Sequence, residues 1–387
     1  MIPRHLASKI NELLGKYPIV SITGPRQSGK TTLAKMLRPE YQYVSLENLS
    51  IRQFAQTDPQ GFLSQYQNGV ILDEVQYVPE LFSYLQVFTD ERNRKGEYIL
   101  TGSQNFLLME KITQSLAGRV AIFHLLPFSW SELKNTDYRP QNWEQYLVGG
   151  SYPRKLVDEI DTETFYDNYL RTYIERDVRQ VKNILDLGLF QRFIQLLAGR
   201  IGQLFNQNSL GIELGLDNKT INSWLSVLET SFIAYRLQPY YQNFNKRVVG
   251  TPKVYFYDTG LAAYLLSIKS SNDLNIHFAK GALFENLIIN ELQKDILNTG
   301  TRPRFYFWRD YSQNEVDLLI QEGIKLHAVE IKSGKTINTD FFKGLNYFKK
   351  IVPDAQPHLV YGGSEYQKRS DVMVMGIEQL ENILFSK

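Results

Sequence analysis

Residues 24–32, Gly24-Pro25-Arg26-Gln27-Ser28-Gly29-Lys30-Thr31-Thr32, constrain this chain more than any other stretch. They read G-x-x-x-x-G-K-T, which builds a phosphate-binding loop when a strand precedes it and a helix follows. Both flanks are present. Pro18-Ile19-Val20-Ser21-Ile22-Thr23 reads as a short buried strand, and Thr31 to Leu37 opens a helix that Pro39 cannot easily continue. In that setting the loop's N–H groups curl round phosphates, and the helix N-terminus adds partial positive charge. Lys30 would then reach the β- and γ-phosphates of a nucleoside triphosphate, and the Thr31 hydroxyl would ligate Mg²⁺. Arg26 is a second cation in the loop.

The rest of the composition mostly excludes. At 387 residues the chain is too long for one ordinary core, so two or three domains are expected. A net charge of +2 is no global polybasic signature, so any nucleic-acid affinity must come from a local patch. With no cysteine, disulfides, thiolate chemistry and cysteine-ligated zinc are ruled out. Met1-Ile2-Pro3-Arg4-His5 has no signal-peptide core, and no apolar run approaches the roughly 18 residues of a membrane span. A cytoplasmic protein with no membrane partner is expected. The five histidines are scattered without metal spacing.

Gly69-Val70-Ile71-Leu72-Asp73-Glu74 supplies the second half of the nucleotide site. It reads as a strand buried on both faces that delivers two acids at its C-terminal end. Asp73 would hold Mg²⁺, and Glu74 would orient or deprotonate the attacking water. A further strand, Gly96 to Thr101, ends in Gly102-Ser103-Gln104-Asn105. Leu116-Ala117-Gly118-Arg119 precedes the last strand of the sheet, Val120–Leu125.

These motifs carry a resemblance. The loop, Leu72-Asp73-Glu74-Val75-Gln76, Leu100-Thr101-Gly102-Ser103, Leu116–Arg119 and Pro127-Phe128-Ser129 are together similar to prokaryotic AAA-superfamily ATPases with a DUF4143-type C-terminal region. The resemblance covers nearly the whole chain. It implies that Ser103 or Gln104 senses the γ-phosphate, with a plain polar strand end as the other reading. It makes Arg119 a candidate arginine finger, in cis or toward a neighbouring subunit of a nucleotide-dependent homo-oligomer. A solvated arginine at a helix end competes with that reading. The break at Gly149-Gly150-Ser151-Tyr152-Pro153 resembles the family's Gly-Gly-Tyr-Pro turn with Ser151 inserted. Arg176 and Asp177 read as a surface or interface ion network.

Residues 206–236 suit a helix-turn-helix, with Gly215-Leu216-Asp217 as the turn and strands at 232–237 and 246–257 as a wing. Its second helix exposes Asn218, Lys219, Thr220 and Asn222, which can contact DNA, yet only one is cationic. Such modules also bind proteins or act as lids.

Near the far end, Glu285 lies on a strong helix, Asp317 on one strand, and Glu330-Ile331-Lys332 on the next. The order is similar to the PD-(D/E)-x-K nuclease pattern, with Asn314-Glu315-Val316 where that pattern has a proline. Glu330 and Lys332 share a strand face. Asp317, Glu330 and Glu285 would hold a second Mg²⁺ or Mn²⁺, and Lys332 would position water or meet developing phosphorane charge. Lys325, Lys332, Lys335, Lys343, Lys349 and Lys350 make the region locally basic.

The expected fold is therefore α/β. A P-loop NTPase parallel sheet fills 1–135, a helical lid plus winged-helix segment fills 136–245, and a smaller restriction-endonuclease-like domain fills 246–387. Two functions follow. One is a Mg-ATP hydrolase coupled to a nuclease-like domain acting on DNA. The other is an ATP-dependent switch or scaffold for a protein partner, with the nuclease-like domain inactive.

Overall fold

The structure, a computed structural model, describes residues 2–103, 115–174, 178, 184, 186–240, 249–302 and 304–384. Gln104, Arg176 and Asp177 lie outside the described residues. The chain forms two compact units. The first holds Met1–Phe128, Tyr152–Arg154 and Leu297–Thr301; the second holds Ser129–Ser151, Lys155–Ile296 and Arg302–Lys387.

The first unit is built on five parallel strands: β1 (Ile19–Thr23), β2 (Gln42–Ser45), β3 (Val70–Asp73), β4 (Tyr98–Gly102) and β5 (Val120–His124). Their spatial order is β2-β3-β4-β1-β5, every neighbouring pair being parallel. Alternation along each strand splits its side chains between two cores. Ile19, Val70, Leu72, Tyr98 and Leu100 pack on one face with Phe62, Leu81 and Leu85 of the helices 59–64 and 81–92. Val20, Ile22, Ile71 and Ile99 pack on the other with Leu6, Ile10, Leu14, Leu33 and Ala34 of the helices 6–14 and 30–37. Both faces are covered, which is why these strands read as near-continuous apolar runs. Helix breaks follow local chemistry: Asp58 ends one helix, and its side chain caps the next, whose first residue is Pro59.

The second unit contains a mixed eight-stranded sheet. Its strands are β6 (Ala234–Pro239), β7 (Lys253–Phe256), β8 (Phe305–Arg309), β9 (Glu315–Glu322), β10 (Lys325–Lys332), β11 (Gln356–Tyr361), β12 (Gln367–Arg369) and β13 (Val372–Met375). The order is β12-β13-β11-β10-β9-β8-β6-β7. Strands β8, β9 and β10 run antiparallel in sequence, while β10 pairs with β11 in parallel. The helix Lys343–Ile351 seats Leu345 and Phe348 in a core with Trp308, Val316, Leu319 and Leu359. At the sheet edge, Asn286 of the helix Lys280–Asn298 meets the open backbone of Phe256: it accepts from the N–H at 3.0 Å and donates to the carbonyl at 2.9 Å.

This arrangement corrects the expected boundaries. A cut after 245 would separate β6 from β7, which pair antiparallel from Ala234↔Phe256 to Leu237↔Lys253. β6 also pairs with β8 through Gln238↔Tyr306. The expected wing is thus the end of the large sheet, held by backbone hydrogen bonds, and the second and third domains form one unit. The helix pair before it does form, as Gln207–Leu214 and Asn218–Thr230, with Gly215 left-handed at φ +68° between them. The side chain of Asn206 caps the first helix. Of the four residues expected to face DNA, three are engaged locally. Asn218 donates to Asn208, Asn222 donates to Gln207, and Thr220 donates to Asp217 at 2.9 Å.

Candidate functional site

The loop Gly24–Gly29 leaves the C-terminal end of β1 and enters the helix Lys30–Leu37. Gly24, Gln27 and Gly29 all have positive φ, at 151°, 60° and 91°. Successive turns of this kind aim backbone N–H groups into one concavity, as an anion requires. Arg26 and Gln27 are half-buried in the loop, Pro25 and Ser28 are buried, and Thr32 is exposed in the first helical turn. Lys30 is 6% exposed, and its ammonium donates to the carbonyls of Gly24 at 3.0 Å and Pro25 at 2.7 Å.

Parallel order brings the other parts to the same edge. β3 stands one strand from β1, across β4, so Asp73, Ser103 and the loop share the C-terminal edge of the sheet. The Thr31 hydroxyl lies 3.2 Å from both Asp73 carboxylate oxygens. A hydroxyl and a carboxylate side by side are hard oxygen donors suited to Mg²⁺, and the loop's positive-φ turns suit phosphates. These residues fit Mg-ATP. Two further residues hold Asp73, and reasoning along the sequence missed both. Tyr43 of β2 donates its hydroxyl at 2.7 Å, and Thr101 of β4 also donates to Asp73. Burial, together with the Asp73 carboxylate, pushes the Tyr43 phenol up to about 12. Neither residue lies in a motif stretch that names its partner; each is found only from strand pairing.

Glu74 takes a left-handed φ of 54° at the end of β3. Its carboxylate accepts from the Ser103 hydroxyl at 3.3 Å and from the Gln76 amide. Ser103 is thus brought to Glu74, at the end of the strand between β3 and β1. Arg119 is elsewhere. It directly precedes β5, at the N-terminal edge of the parallel sheet, opposite the loop, and forks onto Asp90 at 2.7 and 2.8 Å. The in-cis finger is corrected on that topology: Arg119 does not reach its own chain's phosphates.

The second site lies in the second unit. Asp317 on β9 and Glu330 and Lys332 on β10 converge. The Lys332 ammonium is 3.1 Å from Asp317 and 2.6 Å from Glu330. The Ile331 N–H donates to Asp317 at 2.8 Å. The second Glu330 oxygen, Oε2, is buried with no hydrogen-bond partner among the described residues. Burial pushes Glu330 up to about 8, with Asp317 adding to the rise and Lys332 opposing it. Burial alone would lower the Lys332 ammonium, but Asp317 and Glu330 outweigh it and hold it above the ordinary range.

Glu285 is not delivered to that pair as a free ligand. Its Oε1 lies 3.0 Å from the Lys253 ammonium and accepts the Tyr255 hydroxyl. Lys253 also pairs with Glu315, which takes Arg309 at 3.2 Å. Burial pushes Glu285 up to about 7, against the pull of Lys253. Among the described residues no group of three or more acids or histidines is placed to hold a metal ion. The expected set of three is therefore corrected: Asp317 and Glu330, with an open buried oxygen, fit one divalent cation, and Glu285 does not join them because a lysine is already there. Lys253 and Tyr255 escaped the sequence reading, although polar residues alternating with Val254 and Phe256 on a short strand were the available signal.

The local basic patch is also less than the sequence suggested. Lys335 pairs with Glu144 at 2.8 Å, Lys343 with Asp340 at 2.8 Å, and Lys349 with Asp371. The histidines are not all scattered: His327 and His358 lie ring to ring with nitrogens 3.1 Å apart on β10 and β11. Burial lowers both, His358 to about 3, with neighbouring His327 adding to its fall. Among the described residues no helix is long and apolar enough to cross a membrane.

Comparison with known proteins supports an AAA-type ATPase-like domain. Residues 16–134 match the AAA domain family, residues 140–272 match a domain of unknown function, DUF8612, and residues 280–380 match another, DUF4143. An uncharacterized protein of Mycobacterium tuberculosis is 29% identical over 376 residues, covering 96% of this chain and 82% of its own. An uncharacterized protein of Haemophilus influenzae is 24% identical over 301 residues, covering 70% and 73%. A Walker-type ATPase of Pyrococcus abyssi is similar with a TM-score of 0.46 and 17% identity, covering 69% of this chain and 96% of that one. The chain carries an AAA-type P-loop ATPase-like domain.

Proposed function

We propose that this protein hydrolyses Mg-ATP in its first unit and uses nucleotide state to control a nuclease-like site in its second unit, acting on DNA. The observation that carries the hydrolase reading is the Thr31 hydroxyl 3.2 Å from both Asp73 oxygens, with Glu74 as the next residue. Lys30 is held at the loop carbonyls, ready to exchange them for phosphate oxygens. Thr31 and Asp73 would hold Mg²⁺, which neutralises phosphate charge when bound. Glu74, steadied by Ser103 and Gln76, takes the proton of the attacking water. Arg119 serves as a finger only toward a second copy of the chain, so that role requires a nucleotide-dependent homo-oligomer.

For the second unit, the support is the Asp317, Glu330 and Lys332 cluster on adjacent strands. A divalent cation at Asp317 and Glu330 would supply charge neutralisation at a scissile phosphate. Lys332 would steady the attacking water or the developing charge. The test is supercoiled DNA with Mg²⁺ or Mn²⁺, with and without ATP. Wild type is expected to nick it, and an Asp317→Ala/Lys332→Ala double variant is not; equal cutting by both would overturn the nuclease reading.

One set of observations favours a second reading, the ATP-dependent switch or scaffold. Lysines occupy the carboxylates, and Lys335, Lys343 and Lys349 are each neutralised by an acid. That reading expects nucleotide-dependent capture of a protein partner and no DNA cleavage under any metal condition.

A further inference from the structure

We propose that Lys253 is a built-in cation of the second unit's carboxylate site, holding the place at Glu285 that a divalent ion would take in a carboxylate-only arrangement. The inference rests on the nuclease-like reading of that site, and it says which carboxylates a metal can use.

Lys253 is the first residue of β7, and its side chain is 3% exposed. A buried ammonium is tolerated only when acids pair with it. Glu285 does so at 3.0 Å, and Glu315 does so from the start of β9. Tyr255 sits two residues further along β7, so the same strand face delivers a second donor to the same Glu285 oxygen. An oxygen that accepts both an ammonium and a phenol hydroxyl has spent its two lone pairs. The arrangement is tied from several elements: β7 brings Lys253 and Tyr255, the helix 280–298 brings Glu285, and β9 brings Glu315.

The Asp317 and Glu330 pair differs. Its cation, Lys332, is 33% exposed, and the buried Glu330 Oε2 remains an open acceptor. A metal arriving there displaces or joins a partly exposed lysine, while at the Glu285 Oε1 it would have to expel a buried one. Lys253 neutralises charge without exchanging with solvent and without acting as a Lewis acid. Metal binding should therefore depend on Asp317 and Glu330, and not on Glu285.

Mn²⁺ binding to the full-length chain tests this, read by electron paramagnetic resonance of free Mn²⁺ in an Asp73→Asn background that removes the carboxylate of the ATP site. Asp317→Asn is expected to weaken Mn²⁺ binding by about 10-fold or more, and Glu285→Gln to leave it unchanged. Lys253→Met is expected to tighten binding by about 10-fold, and that gain should vanish when Glu285→Gln is added. Loss of binding in Glu285→Gln comparable to that in Asp317→Asn would overturn the proposal. So would a Lys253→Met protein, folded by circular dichroism, whose binding is unchanged. Should Lys253→Met fail to fold, Glu285→Gln decides alone. Should wild type bind no Mn²⁺, the nuclease-like metal reading fails separately, and the Glu285-dependent gain in Lys253→Met still decides this one.

Discussion

A methyl group on Gly24 would stand 2.1 Å from the Leu125 carbonyl oxygen, and the residue's φ of +151° is one that side chains rarely adopt. Space and backbone both demand glycine there, so Gly24→Ala should destabilise the first unit by about 1–3 kcal/mol and weaken ATP binding, read by denaturant titration and nucleotide titration. Lys30→Ala should abolish ATP binding. Glu74→Gln should keep binding and lose about 10²- to 10⁴-fold in turnover, measured as phosphate release; normal turnover would remove Glu74 as the base. The acids of the second unit make a pH prediction. Glu330 rises from an ordinary 4.5 to about 8 and Glu285 to about 7, both through burial. The folded protein therefore binds more protons than the unfolded chain across that interval. Their stabilising contribution is full below about 4.5 and is lost as pH rises through about 7 to 8. Denaturation midpoints should show this fall, and Glu330→Gln should flatten it; an unchanged slope would count against the buried carboxyl. The phosphate loop was legible because its chemistry is contiguous, whereas Lys253 reaches Glu285 across 32 positions of chain.

At the scale of elements, the helix Lys280–Asn298 organises the second unit, and its polar side chains were the least legible part. Glu291 and Lys294, one turn apart, are both nearly fully buried. Lys294 donates to Glu291 at 2.7 Å, to Tyr146 at 3.1 Å and to Ser151 at 3.1 Å. Glu291 also accepts from the Trp130 N–H at 2.5 Å. The helical spacing was visible, but partners 140 and more positions away in the sequence were not. Removing one member of a buried pair strands the other, so Lys294→Met should cost about 3–5 kcal/mol in a denaturant titration. A Lys294→Met/Glu291→Gln double variant should recover part of it; strict additivity would show the pair is uncoupled. Strands were easier. The apolar runs of β1, β3 and β4 announced a covered parallel sheet. The β6–β7 pair is readable in the sequence, but its continuation into β8 depends on only two residue pairs, which is why the local pattern resembles a wing.

At the scale of the molecule, each unit carries hydrophobic clusters of its own among the described residues, so thermal unfolding should show two transitions. Substitutions assign them: Gly24→Ala lowers the transition of the first unit, and Lys294→Met lowers that of the second. A ligand that binds only the folded state stabilises it by about 2.7 kcal/mol at 100 times its dissociation constant. For a unit of this size that is roughly 5–10 °C. A non-hydrolysable ATP analogue with Mg²⁺ should therefore raise the first transition by that amount in wild type and leave it unmoved in Lys30→Ala. Control of the second unit by nucleotide makes a stronger demand. Linkage requires that a state favoured by ATP be stabilised wherever the coupling reaches, so the second transition should rise as well, by less than the first. If the second transition stays fixed while the first moves, the units respond independently, and the ATPase is not the controller of the Asp317, Glu330 and Lys332 site.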